Sequence, residues 1–305
     1  MPEPLLYVKA MGAAGFVSAL FVLAMAALRR TDSTTRWNLA SVPAIGLGLT
    51  VGYFVLSLQP ALPPVNALDR LLAIIFPAAL SVELVAGFQK TPQWAAWLLR
   101  MVLVAMIPRI LLHGSVYLSG SDGWLPWQVV TTLGVCSLLL AVVWSQLAVL
   151  STRAAGVSLP VALCMAIQSA AVTVMLAGYI NGGAAALPLV ATLLATTAAI
   201  WLVSMRSTSA VHVYCPAILG IGVVGLFSLL FVGRFFGRLS TPVAITILVA
   251  PLLCWTSEAL PPRYRKPWFV GTLRLTLVAI PLVVVLALAK IDFDRDMAPL
   301  LSVLD

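Results

Sequence analysis

The sequence predicts an all-α protein: a polytopic integral membrane bundle of about ten transmembrane helices. Hydrophobic residues make up 62% of the 305 residues, and the mean hydropathy is +1.07, whereas soluble domains are about 45–50% apolar. The 18 basic and 10 acidic side chains are too few to cover a water-facing surface. The apolar runs are long and continuous rather than short and alternating, which favours helices over a β-barrel.

A helix needs about 20 apolar residues to cross the hydrocarbon core, and ten segments of the chain qualify. The predicted spans are 8–28, 38–58, 68–88, 94–117, 128–150, 156–179, 185–204, 212–232, 241–260 and 268–289. The connections are short, so we expect no separate soluble domain. Arg29 and Arg30 follow the first run, and a cleaved signal peptide would carry its charge before the run, so we expect a retained helix.

Basic residues in the connections predict the orientation. Nine of them follow odd-numbered spans, and six lie on the opposite side. The positive-inside rule therefore predicts cytoplasmic odd loops, both termini outside, and a plasma or inner membrane. The net charge of +8 sits in short loops. That placement fits membrane lipids as partners and argues against nucleic acid.

The sequence of residues 43–108 resembles that of residues 216–281, about 174 residues further along the chain. Rare residue types match as well as common ones, which composition alone would not produce. The matches include Pro43 with Pro216, Phe54 with Phe227, Pro77 with Pro251, Glu83 with Glu258, Trp94 with Trp268, Arg100 with Arg274 and Pro108 with Pro281. Such a period predicts an internal duplication.

The duplication predicts the organisation of the chain. Spans 1–4 correspond to spans 7–10, so each equivalent pair is six positions apart in the order of helices. Because six is even, both copies enter the membrane in the same direction, which is a parallel repeat. The predicted units are a first four-helix repeat at 8–117, a connecting helix pair at 128–179, a second four-helix repeat at 185–289 and a short polar tail at 290–305.

Two carboxylate–arginine pairs are the first candidates for a site. Glu83 and Arg100 stand at equal distances on either side of the loop around Lys90, so an antiparallel hairpin puts them at equal depth. Glu258 and Arg274 flank the equivalent loop of the second copy, Pro261–Pro267, in the same way. Ionisable groups at one depth in hydrocarbon are expected to pair. The pairs either frame a charged substrate path or clamp each hairpin in register.

Arg109 and His113 share one face of span 4, since they are four residues apart. The second copy has Leu282 and Leu286 at these places, so the polar pair is peculiar to the first half. Intramembrane ionisable residues are functional candidates by default, and we expect Arg109 to face the bundle interior, Asp69 or an outer cavity. Snorkelling to the outer headgroups is the alternative.

Gln146 and Gln168 lie on spans 5 and 6, where they could hydrogen-bond across that hairpin or line a polar path. The four cysteines fall in or at the edge of apolar segments without CxxC spacing, so we expect core packing rather than metal or disulfide chemistry. The chain carries no HExxH, GxSxG or phosphate-loop motif. We therefore expect no enzyme, no metal and no cofactor.

Three functional hypotheses remain at this level. The leading one is a permease-like protein that translocates a small polar or anionic solute past Glu83, Arg100, Arg109, His113 and the other candidate side chains. The second is a non-transporting scaffold that packs with a partner membrane protein or with a second copy of itself. The third is a lipid-handling protein.

Overall fold

The computed structural model describes residues 4–28, 34–88, 90–118, 124–153, 156–206, 216–259 and 266–301, and its regular elements are all helices. We number the helices to match the predicted spans. They are α1 (Pro4–Leu28), α2 (Thr34–Val55), α3 (67–86), α4 (Gln93–Leu112), α5 (Pro126–Arg153), α6 (Ser158–Leu176), α7 (Ile180–Arg206), α8 (Pro216–Phe235), α9 (Thr241–Ala259) and α10 (Pro267–Leu301).

Nine helices within these described ranges are long and apolar enough to cross a membrane. The tenth predicted span, α3, is not among them; it is divided into α- and π-helical segments and carries Asp69, Arg70 and Glu83. α10 is the longest helix, with 35 residues, and continues beyond the predicted boundary at 289 into the tail. Several loop arginines that determine the predicted orientation, among them Arg29, Arg30, Arg263 and Arg265, lie outside the described residues.

Two helices depart from α geometry near their prolines. α3 consists of an α-helical turn (Ala67–Arg70), a π-helical segment (Leu71–Ile75) and an α-helix (Phe76–Ala86) that has Pro77 in its first turn. α9 begins as an α-helix (Thr241–Val249) and continues as a 3₁₀-helix (Ala250–Ala259) that contains Pro251. Proline lacks the amide hydrogen and clashes with the carbonyl four residues earlier, so both changes occur where the α ladder cannot continue undisturbed.

α8 forms the centre of the bundle. All its residues from Ala217 to Gly233 are buried, and it packs against α2 to α7 and against α9. Around it, α6 also packs against α7, α9 and α10, and α1 packs against α2 and α7. Residues of α8 can therefore contact side chains from most of the other helices.

Gly48 on α2 explains how closely α1, α2 and α7 approach one another. A Cβ at this position would collide with the Ser18 hydroxyl and would lie 2.5 Å from the Thr192 methyl group. The closest neighbours of such a Cβ thus belong to α1 and α7. Small residues at such crossings let backbones approach in a membrane.

The short connections define two ends of the bundle. We call the end of the bundle at which α3 and α5 end the odd face. The opposite end, at which α4, α6 and α8 end, is the even face. The sequence predicts that the odd face is cytoplasmic, and this orientation stays a prediction.

Candidate functional site

Glu83 and Arg100 form a buried ion pair near the odd face. Arg100 donates Nε to Oε1 of Glu83 and Nη2 to Oε2, each over 2.8 Å. Glu83 is 0% exposed and Arg100 is 8% exposed. Bidentate, charge-assisted bonds of this kind are among the strongest that side chains form. The predicted contact is confirmed.

Aromatic rings and a glycine enclose this pair. The Arg100 guanidinium carbon lies 5.4 Å from the ring centroid of Trp97 and 5.9 Å from that of Trp144, within cation–π range. A Cβ at Gly220 would lie only 2.5 Å from Oε1 of Glu83. α3, α4, α5 and α8 therefore meet at one carboxylate, and α8 reaches it because position 220 has no side chain.

The second pair has a different set of partners. Arg274 donates Nη2 to Oε1 of Glu258 over 2.9 Å, Nε to the Ser257 hydroxyl over 2.7 Å and Nη1 to the Ser158 hydroxyl over 3.2 Å. The Glu258 side chain is 23% exposed, against 0% for Glu83. The predicted Glu258–Arg274 contact is confirmed. The arginine here ties α9 and α10 to α6, and its carboxylate partner reaches solvent or headgroups.

These bonds favour the clamp interpretation of the two pairs. Each guanidinium and its carboxylate satisfy each other and hold neighbouring helices at fixed register. Neither pair lines the cavities described below. A place for Glu83, Arg100, Glu258 and Arg274 on a substrate path stays a prediction.

Arg109 and His113 lie on the surface of the bundle. Both side chains are exposed, so the expected inward orientation of Arg109 is wrong. Asp69, its expected partner, instead accepts hydrogen bonds from the backbone amides of Val65 over 3.3 Å and Asn66 over 3.4 Å. Asp69 is therefore occupied in capping the start of α3, and a solute-binding role for Arg109 and His113 has no support beyond the sequence.

The buried cation at this end is Arg70, which is 8% exposed. It donates to the carbonyl of Leu111 over 3.4 Å and to that of Val65 over 3.1 Å. Arg70 thus fastens the start of α3 to the end of α4. The capping box formed by Asn66 and Asp69 is readable in the sequence and would have assigned Asp69 to the backbone.

Gln146 and Gln168 are not brought together. Gln146 is exposed on α5, and Gln168 is half-buried on α6. The side-chain oxygen of Gln168 has no hydrogen-bond partner among the described residues. Of the two alternatives, a hydrogen bond between these glutamines is not made among the described residues, and a polar path along them stays a prediction.

A cavity of about 440 Å³, which we call the lateral cleft, lies between α5, α8 and α9 toward the even face. It is lined by Trp124, Thr131, Thr132, Val135, Cys136, Leu139, Phe227, Leu230, Phe231, Arg234, Phe235, Thr241, Ala244, Ile245 and Leu248. Val135 and Ile245 at its margin are exposed. Because both belong to membrane-spanning segments, the cleft opens at the side of the bundle, where lipid is expected.

An aromatic ladder forms the inner wall of this cleft. Phe227, Phe231 and Phe235 follow one another at intervals of four residues on α8, and their successive ring centroids are 5.8 and 4.5 Å apart. Trp124 continues the ladder, 5.7 Å from Phe235. Tyr117 donates its hydroxyl to the Phe235 carbonyl over 3.1 Å. Tyr117 and Trp124 are thereby held against the end of α8.

One cation lines the lateral cleft, at the end nearest the even face. Arg234 donates Nε to the Thr241 hydroxyl over 2.7 Å, which holds the guanidinium between the end of α8 and the start of α9. This bond leaves the Nη groups as donors toward a ligand. An apolar cavity with one positive end can bind a molecule that has an apolar body and an anionic group.

Sequence reasoning missed this cleft. The signal available in the sequence was the spacing of Phe227, Phe231 and Phe235, with Arg234 beside the last of them and Thr241 six residues beyond it. In an apolar span the same spacing is normal for packing against another helix, so it does not by itself indicate a cavity.

A protein-family scan and searches of curated proteins and of solved structures gave no match to this chain. The fold and the site nevertheless define a class: an all-helical protein with the character of a polytopic membrane protein. Within the described residues, no group of three or more His, Cys, Asp and Glu side chains lies together. What the protein does must be argued from its cavities.

Proposed function

We propose that this protein binds an amphipathic anion, a membrane lipid with an acyl chain and an anionic headgroup, and so belongs to the lipid-handling class. The observation that carries the proposal is the lateral cleft, an apolar cavity of about 440 Å³ that opens sideways and has Arg234 at its even end. Ligand pockets typically have volumes of about 300–1,000 Å³. The cleft therefore has room for part of an acyl chain.

The walls favour a lipid over a water-soluble solute. Phe227, Leu230 and Leu248 offer only carbon to a ligand, and an apolar chain placed there leaves no polar group unsatisfied. The exposed margin at Val135 and Ile245 gives a lateral route from the bilayer. A small polar solute would instead need hydrogen-bonding groups along its path.

Arg234 favours an anionic headgroup. It is the penultimate residue of α8, and its partner Thr241 is the first residue of α9, so both lie at the depth where headgroups begin. A phosphate or carboxylate there would accept charge-assisted hydrogen bonds from the guanidinium. Hydrogen bonds to charged groups contribute about 1.5–3 kcal/mol, so the headgroup adds selectivity to the apolar burial of the chain.

The other two functional hypotheses have less support. The permease hypothesis relied partly on Arg109, His113 and Gln146, which are exposed on the bundle surface. The scaffold hypothesis would need a surface with a defined occupant. Both remain predictions beside the proposed lipid-binding function.

Native mass spectrometry of the purified full chain tests the proposal. Phosphatidylglycerol is added as the anionic probe and phosphatidylcholine as the zwitterionic comparison. Ala244→Trp fills the cleft, and Val142→Trp is the matched control, because Val142 is exposed on α5 and does not line the cleft. We expect preferential retention of phosphatidylglycerol, which Ala244→Trp abolishes and Val142→Trp preserves.

The headgroup is tested separately with Arg234→Ala. We expect this variant to weaken phosphatidylglycerol binding about tenfold or more, from the strength of a charged hydrogen bond, and to weaken phosphatidylcholine binding less, because the choline cation already offsets the charge of its phosphate. Equal retention of both lipids by the parent protein, or full retention after Ala244→Trp, would contradict the proposal.

A further inference from the structure

A second cavity, which we call the end pocket, lies at the even face and has a different chemical character. Its volume is about 310 Å³, and it is enclosed by the end of α6, the α8–α9 connection and the far part of α10. Arg238 and Ser240 line it from the connection, and Asp292 lines it from α10. The end pocket thus carries one positive and one negative side chain.

The end pocket lies at the aqueous end of the bundle. Asp292 follows Trp268, where the last apolar span begins, by 24 residues, which is about 36 Å of helix. The hydrocarbon core is about 30 Å thick. Asp292 therefore stands beyond the core, where water and lipid headgroups are both present.

The two charges do not neutralise each other. Arg238 and Asp292 are both exposed, and no salt bridge joins them among the described residues. The backbone amide of Arg238 donates to the Ala177 carbonyl over 3.1 Å, which fixes the connection against the end of α6. The Ser240 hydroxyl makes no capping bond to α9. Both charges and a hydroxyl are thus available to a molecule in the pocket.

Helix ends give the end pocket a polarity that agrees with its charges. α9 begins next to Ser240, and the start of a helix carries partial positive charge that adds to Arg238. α6 ends at Leu176, and its terminal carbonyl groups carry partial negative charge on the wall formed by Leu176 and Gly178. One side of the pocket favours an anion and another side favours a cation.

We infer that the end pocket binds a small zwitterion, with its anionic group at Arg238 and Ser240 and its ammonium group at Asp292. Either a water-soluble zwitterion or the headgroup of a zwitterionic lipid such as phosphatidylethanolamine supplies this chemistry. The inference goes beyond the lateral cleft and does not depend on it, because the two cavities share no lining residue.

Thermal unfolding of the purified full chain in detergent is the first arm of the test. The probes are O-phosphoethanolamine, ethanolamine alone and inorganic phosphate alone, at equal concentration and ionic strength. We expect only O-phosphoethanolamine to raise the unfolding midpoint. Arg238→Gln and Asp292→Asn should each weaken its apparent affinity at least tenfold. Arg295→Gln is the matched control, because Arg295 is exposed on α10 and does not line the pocket.

Nanodiscs that contain phosphatidylethanolamine or phosphatidylcholine are the second arm. A stabilisation seen only with phosphatidylethanolamine, and lost in Arg238→Gln and Asp292→Asn, supports the inference and identifies the lipid headgroup as the source. A shift with O-phosphoethanolamine in detergent supports it with a soluble zwitterion as a sufficient ligand. Ala289→Trp, which fills the pocket, should remove either effect.

Three results would overturn the inference: equal shifts from phosphate alone, no shift in either arm, or shifts that survive both charge substitutions. Arg234→Ala should leave zwitterion binding intact. This variant separates the end pocket from the lateral cleft, so failure of one proposal can be told from failure of the other.

Discussion

The Glu83 carboxylate is fully buried, so the folded state must stabilise a charge away from water. A carboxylate without a partner in such surroundings is costly, and the two hydrogen bonds from Arg100 offset that cost. The pair fixes α3 against α4, and the contact of Gly220 with the carboxylate brings in α8. One ion pair therefore sets the positions of three helices.

Removal of the arginine should destabilise the protein more at the Glu83–Arg100 pair than at the Glu258–Arg274 pair. Arg100→Ala should lower the free energy of unfolding by about 3–5 kcal/mol, because Glu83 is left buried and uncompensated. Arg274→Ala should cost less, since the Glu258 side chain is 23% exposed and can meet water or headgroups. Reversible unfolding in mixed micelles measures both.

The double variant Glu83→Gln with Arg100→Gln is the control for the first substitution. It removes both charges, so it should recover part of the stability lost in Arg100→Ala. If the single variant, the double variant and the parent unfold alike, the clamp interpretation is contradicted.

Gly220 should tolerate no side chain. A Cβ there would lie 2.5 Å from Oε1 of Glu83 and 2.9 Å from the Trp144 ring, so we expect Gly220→Ala to destabilise the protein by about 1–3 kcal/mol through overpacking. Gly271→Ala is the matched control on α10, where a Cβ meets nothing within 4 Å. The same unfolding measurement should show no loss for Gly271→Ala, because alanine is the better helix former. Equal stability of the two variants would contradict the prediction.

The residue-scale features differed in how well the sequence could predict them. The Glu83–Arg100 and Glu258–Arg274 contacts were predictable, because a short loop between antiparallel helices fixes which residues share a depth. The orientation of Arg109 was not predictable, because the depth of a residue does not determine the direction in which its helix face points. Asp69 accepts hydrogen bonds from backbone amides at the start of its own helix. These local bonds replace the longer-range pairing with Arg109 that we expected.

At the scale of elements, α3 and α9 are the irregular helices. The π-helical segment Leu71–Ile75 precedes Pro77, and the 3₁₀-helical segment Ala250–Ala259 contains Pro251. Runs of 3₁₀-helix longer than three or four residues are uncommon and often mark a hinge. Glu83 lies after the π-helical segment of α3, whereas Glu258 lies within the 3₁₀-helical segment of α9. Each ion pair therefore fastens an irregular helix to its neighbour beyond or within the irregular part.

Hydrogen exchange should reveal this weakness. 3₁₀ hydrogen bonds have poorer geometry than α-helical ones, so we expect the amides of Ala250–Ala259 to exchange faster than those of Thr241–Val249 in the same helix. Mass spectrometry of peptides from α9 in detergent measures the difference. Uniform protection along α9, equal to that of α4, would contradict it.

The lateral cleft belongs to the space between elements, which is why the sequence did not predict it. Each of α5, α8 and α9 reads as an ordinary apolar span. The cavity is bounded by side chains of all three helices, among them the aromatic ladder of α8. Only the packed arrangement of three helices shows that these apolar surfaces are left partly uncovered.

At the scale of the whole molecule, composition and segment length predicted the fold well. Nine described helices have the expected length and hydropathy, and the interrupted α3 occupies the place of the tenth. Pro77 marks a place where the α-helical hydrogen-bond ladder is disturbed, but a proline alone does not tell whether the helix kinks, restarts or changes to a π-helical segment. The parallel repeat stays a prediction, and α1 of the first repeat packs directly against α7 of the second.

Labelling from one side of the membrane tests the predicted orientation. Single cysteines replace Ser240 at the even face and Lys266 at the odd face, in a chain without its native cysteines. Both positions are exposed. We expect a membrane-impermeant maleimide to label Ser240→Cys in intact cells and Lys266→Cys only after permeabilisation, because the positive-inside rule places the odd face in the cytoplasm. The reverse pattern would invert the topology, and equal labelling would contradict ten crossings.

Photo-crosslinking of a lipid to the full chain tests the central claim most directly. The probe is phosphatidylglycerol with a diazirine in its acyl chain, and the labelled peptides are mapped by mass spectrometry. If the lateral cleft holds the chain, labelling should concentrate on three stretches, 131–139 of α5, 227–235 of α8 and 241–248 of α9, and Ala244→Trp should abolish it there. Labelling spread evenly over exposed helices such as α1 and α10, and unchanged by Ala244→Trp, would show that the cleft holds no lipid.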